Sequence, residues 1–159
     1  MHAIESLVPG FDRALERMPG AAPAWRVLTH AVDEAPLSGR QAALANLAVA
    51  QKAGGDYARW VMGRLASKQG LNAEDIFLAT AGTGRGAPDA AIVKAAAMMA
   101  SQGNFRDTAA YRDLTVMLGA GKASAMLPQV ALGLLACDVL EATTPGRQAR
   151  APSRKGARP

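Results

Sequence analysis

From about Ser124 to Glu141 the chain is apolar nearly all the way round a helix: Leu127, Val130, Leu134 and Cys137 line one face, and Leu132, Leu135 and Val139 another. A helix with no wet face has to be covered on several sides, so any fold open to this chain must wrap other elements around this one. In 159 residues a neighbouring subunit is one source of that cover, and a homo-oligomer joined through this helix is expected. Pro128 fits such a helix only in its first turn, where a missing N–H costs nothing. Pro128 and Gln129 also interrupt the longest uncharged apolar stretch, Ala123 to Cys137, which argues against membrane insertion.

The rest of the chain carries helix grammar too. Half of its residues are apolar but only seven are aromatic, and Ala and Leu dominate without the alternation that strands need. Phe11 to Met18 reads as a short helix closed by Pro19-Gly20, and Pro23 opens a second that runs to about Asp33. Ser38 with Gln41 is a capping box for a third, in which Leu44, Leu47, Ala48 and Gln51 mark one face and which Gly54-Gly55 ends. Asp56 caps a fourth, with Gly70 at its left-handed C-terminal end. Asn72 and Asp75 start a short fifth, and Pro88-Asp89 a sixth ending at Gly103. Thr108 begins a seventh, which Gly119-Ala120-Gly121 separates from the last. These signals predict an all-α bundle of about seven or eight helices. Residues 1–22 form an N-terminal segment with a short helix, 23–144 the helical domain, and 145–159 a disordered basic tail.

Charge and cysteine usage narrow the function classes. Residues 1–144 hold 13 basic and 13 acidic side chains, whereas 145–159 hold five basic and none acidic. Nucleic acid or an anionic surface would therefore be met only by Arg147, Arg150, Arg154, Lys155 and Arg158, in a tail with no aromatic residue for stacking. The single Cys137 with two distant histidines, His2 and His30, supplies neither a disulfide nor a zinc ligand set, so no metal or cofactor is expected. Met1 to Gly10 lacks the pattern of an export signal. A cytoplasmic protein follows, and the alanine-rich composition points to a bacterium.

Leu37 to Met62 reads LSGRQAALANLAVAQKAGGDYARWVM. The Leu-Ser-x-Arg opening, the run Leu47-Ala48-Val49-Ala50-Gln51, the Gly turn and the acidic residue before Tyr57 resemble the alkyl hydroperoxidase D-like and carboxymuconolactone decarboxylase-like family of small helical proteins. The likeness extends more loosely from about Pro23 to Ala142. In the peroxidase members, a Glu on the first helix is followed twelve and fifteen positions later by a Cys-x-x-Cys pair, and a His lies four positions after the second Cys. A thiolate at a helix N-terminus has its pKa lowered by the backbone dipole, a second thiol resolves the oxidised sulfur, and the His and Glu move the protons.

Laid on this chain without a gap, those positions are Ala43, Gly55, Ala58 and Met62. None has a nucleophile, and none exchanges a proton in the useful range. What the resemblance implies is therefore a non-catalytic member, a structural or regulatory protein that is oligomeric and meets a protein partner. Peroxidase turnover is not expected, and the loss of the His argues against decarboxylase chemistry too. Either the pocket has closed into core, with Met62, Leu65 and Trp60 filling it, or a cleft remains. In the second case Asp56, Tyr57, Arg59 and Arg64 stand beside it to hold a carboxylate or another small anion, and residual family-related activity is the further alternative.

Other candidates have plainer explanations. Cys137 in an apolar helix reads as an inert hydrophobe. His30, between Arg26 and Glu34, reads as a paired surface residue, and Gly82-Thr83-Gly84-Arg85-Gly86 as a flexible connection rather than a phosphate loop. The methionines at 98, 99, 117 and 126 read as core filling.

Overall fold

A computed structural model describes residues 2–102, 105, 106 and 108–144. Among them are nine helices and no strand: α1 (His2–Leu7), α2 (Phe11–Arg17), α3 (Ala21–Asp33), α4 (Gly39–Ala53), α5 (Asp56–Lys68), α6 (Ala73–Thr80), α7 (Ala87–Ser101), α8 (Ala109–Leu118) and α9 (Ala120–Thr143). The all-α expectation holds. Gly103 and the tail from 145 onward lie outside the described residues, as does anything expected of them.

Local chemistry sets most of the boundaries. The Ser38 hydroxyl accepts from the Gln41 N–H at 3.1 Å while Gln41 Oε1 accepts from the Ser38 N–H, and Asn72 and Asp75 repeat the same reciprocal box at the start of α6. Thr108 caps α8 by accepting from the Tyr111 N–H. At the end of α5, Gly70 takes φ +84; its N–H donates to the Ser67 carbonyl and that of Leu71 to Ala66, the paired closure that a left-handed glycine permits. Asp56 makes no cap: Gly55 holds the cap position and Asp56 is the first helical residue.

Two central helices organise the bundle. Every residue of α4 from Ala43 to Ala50 is buried, so α4 has no single core face, although Gln51, expected on one, is exposed. Its alanines let α7 and α9 pack closely on either side. α9 is the second centre, covered by α2, α3, α4, α5, α7 and α8. Most of the cover that its apolar faces require thus comes from within the chain, while Leu127, Leu134 and Leu135 stay half-buried. Among the described residues α9 is also the one helix long and apolar enough to cross a membrane; it lies in the middle of the bundle.

Three details depart from expectation. First, α1 precedes the predicted first helix, and Ile4, Val8 and Phe11 join the main core. Trp25 Nε1 on α3 donates to Glu5 Oε1 at 2.9 Å and the Trp25 ring lies 5.0 Å from that of Phe11, tying α1 and α2 to α3. Second, Gly119 alone breaks the chain between α8 and α9, at φ 84 and ψ 160, a region open essentially to glycine. α9 consequently begins at Ala120, and Pro128 sits inside it, well past the first turn. Its missing N–H leaves the Ser124 carbonyl without a helical partner, and Ser124 is exposed. Third, Met99 and Met126 are buried and Met98 half-buried, but Met117 is 47% exposed and fills no core.

A charged clamp fixes α6 and α7 to the start of α4. Arg40 donates to both Asp75 oxygens, at 2.9 and 3.1 Å, and to Asp89 Oδ2 at 2.8 Å. Arg85 reaches Asp75, Glu74 and Asn72 from the α6–α7 loop. The bond from Arg40, helped by the Asn72 N–H, lowers the buried Asp75 carboxyl from 3.8 to about 2, and the two carboxylates raise Arg40 above its ordinary value.

Because Asp75 binds its proton less readily folded than unfolded, its contribution to stability is complete above about pH 4 and is lost as pH falls towards 2. Thermal melts from pH 7 to 2 are expected to show Asp75→Asn destabilised at neutral pH and converging on wild type in that acid window. Pro128→Ala is expected to stabilise the chain by about 2 kcal/mol in urea denaturation, the interior-helix penalty of proline less its effect on the unfolded chain.

Candidate functional site

Where α1, the end of α3, α4, α5 and α9 meet, a cleft of about 270 Å³ enters the bundle. Ala43 and Met62 both line it, so two of the four positions singled out by the resemblance face one space. Its deep wall is formed by buried Ile4, Ala43, Asn46, Met62, Ala66 and Gln129, and its mouth by exposed Ala3, Asp33, Ser38, Gly39 and Gln69. The pocket has not closed into core. Met62 is 1% exposed and Leu65 is buried as expected, but Trp60 is 55% exposed and fills none of it.

The polar chemistry of the deep wall is neutral. Gln129 on α9 is 1% exposed, and its Nε2 donates to Asn46 Oδ1 on α4 at 2.8 Å. Gln129 Oε1 has no hydrogen-bond partner. A turn further along α9, Gly133 packs against Asn46 and Val49: a Cβ there would lie 3.3 Å from Asn46 Oδ1, so a small residue keeps the two helices near enough for the amides to meet. Among the described residues no cation lines the cleft, and Asp33 at the mouth is the one carboxylate.

The other two positions lie elsewhere. Ala58 is fully buried and lines no part of the cleft, and Gly55 faces Glu141 from the last turn of α9. The Gly55 N–H donates to Glu141 Oε1 at 3.0 Å, and that oxygen occupies the place a Cβ at position 55 would take. At the spot where the family would set a thiolate against a helix N-terminus, this chain sets a carboxylate from another helix. The electrostatic preference for an anion is met without a nucleophile.

The proposed anion-binding residues do not gather at the cleft. Asp56, Arg59 and Arg64 are exposed along α5, with Arg59 Nη1 3.2 Å from Asp56 Oδ1, and Tyr57 stacks on Trp60 at 6.1 Å. None of the four lines the cleft. Cys137 is buried, and burial, then Asp138 and Glu141, push its thiol up to about 12, so it is protonated at neutral pH. His30 is exposed, 3.5 Å from Glu34. Arg85, the cation of the glycine-rich loop, is already held by α6. Among the described residues no cluster of His, Cys, Asp or Glu is placed to hold a metal.

Asn46 and Gln129 were missed as site residues in the sequence. Their signal was there: each is a carboxamide inside an otherwise apolar helical run, where an amide needs a partner.

No family model, curated protein or solved structure matches the chain, so the family likeness rests on the residues alone.

Glu141→Ala removes the acceptor at the start of α5 and is expected to cost about 1 kcal/mol in urea denaturation, as loss of a helix N-cap does. Glu141→Gln, which keeps an acceptor oxygen, is expected to lose less than half of that.

Proposed function

We propose that the chain is a non-catalytic small-molecule-binding protein, built on an alkyl hydroperoxidase D-like frame that has shed its thiol chemistry. The observation that carries this is the cleft itself: it opens at Ala43 and Met62, two of the four positions to which the resemblance assigns a role, and its buried wall contains no ionisable side chain. A pocket of apolar residues with a few placed polar groups is built for holding and orienting a ligand. General acid, base or nucleophilic catalysis needs groups that this wall lacks. The neutral wall and the outward placement of Arg59 and Arg64 favour an uncharged ligand over an anion.

The space is adequate. A cavity of about 150 Å³ lined by aliphatic residues accepts benzene, so about 270 Å³ admits a substituted ring or an aliphatic chain of similar bulk.

Two measurements test the proposal. With an organic hydroperoxide and a dithiol reductant, turnover is expected to be no higher than that of a Cys137→Ser variant; turnover that needs Cys137 would refute the non-catalytic assignment. Toluene is expected to raise the melting temperature of wild type but not of Ala43→Phe, whose ring fills the cleft. Equal responses in the two proteins would exclude the cleft as the binding site.

A further inference from the structure

Resting on that proposed function, we infer that the cleft selects neutral ligands carrying a hydrogen-bond donor, a hydroxyl or an amide N–H, which is received by Gln129 Oε1. The geometry points to it in three steps. Gln129, 1% exposed, lines an open cleft, and its Oε1 is buried there without a partner. A buried acceptor left unsatisfied costs about 1–3 kcal/mol, and in folded proteins such groups are nearly always paired. A ligand that donates to it removes that cost, and one that cannot donate retains it.

The carboxamide is held from behind. Its Nε2 donates to Asn46 Oδ1 at 2.8 Å, an orientation that leaves the acceptor as the free atom and holds the group between α9 and α4. A donor head therefore meets an oriented oxygen, and binding loses little to side-chain ordering. Around it Ile4, Ala43, Met62 and Leu65 offer only apolar contact. An anion would bring its charge against Oε1 with no cation lining the cleft among the described residues, and burying an uncompensated charge is far costlier than burying a hydroxyl. The chemical class is thus an amphipathic neutral molecule with a donor at the deep end and an apolar body behind it, such as an alcohol, a phenol or a carboxamide.

Matched probes test this on the intact chain. By calorimetry, 4-ethylphenol is expected to bind wild type about tenfold more tightly than 4-ethylanisole, its methyl ether, with the charged 4-ethylbenzoate weaker than both. In Gln129→Leu the preference for the phenol is expected to vanish. Should that variant fold poorly, because the bond from Gln129 to Asn46 is lost, the side-chain amide resonances of wild-type Gln129 give a second readout: the phenol shifts them and the ether does not. Equal affinity of phenol and ether, or a crystal structure in which a water occupies Oε1 while the phenol lies elsewhere, overturns the donor preference and leaves the cleft as a binding site. If toluene, phenol and ether all fail to bind, the donor preference and the proposed function fall together.

Discussion

The seam between α4 and α9 is the contact on which the rest of the molecule depends. Both helices are apolar through most of their circumference, and each satisfies the other's need for cover while α2, α3, α5, α7 and α8 enclose the pair. Apolar contact alone is poor at fixing how far one alanine-rich helix slides along another. The bond from Gln129 to Asn46, with Gly133 set against Asn46 and Val49, specifies one alignment. Buried polar pairs are often used in this way, to choose a register at some cost in stability.

The same seam places the cleft. Because one amide atom is engaged in holding the helices and the other is buried without a partner on a side chain that lines the cleft, a single side chain joins architecture to recognition. The neighbouring α5 shows a comparable economy: its N-terminus receives the Glu141 carboxylate, so the field of that helix is used to hold α9.

Much of the helical plan could be read from local chemistry. The Ser38–Gln41 and Asn72–Asp75 boxes, Thr108 and Gly70 all act within a few residues, and those boundaries were legible. What could not be read depends on distant partners. α1 has no strong pattern of its own and is held by Ile4 entering the core and by Trp25 bonding Glu5. Arg40 stood out only as part of a motif; its partners Asp75 and Asp89 lie 35 and 49 residues on. The start of α9 was misjudged because Gly119 alone makes the break, which placed Pro128 deeper in the helix than its chemistry would favour. A cleft was one of two readings of the sequence, beside closure into core, and the charged residues expected next to it lie on the outer face of α5, whereas the polar groups in its deep wall are two amides in apolar runs.

The order of the helices along the chain also bears on how the molecule is made. α4 reaches the ribosome exit long before α9, the helix that must cover it, and the amide that Asn46 meets is 83 residues further on. A nascent chain that has delivered α4 to α8 therefore presents an open apolar trough with its centre missing. Contacts so distant in sequence form late and slowly, and exposed apolar surface on a growing chain is prone to association with other chains. Closure of this protein waits on its last described helix, which is drawn into the middle of those made before it.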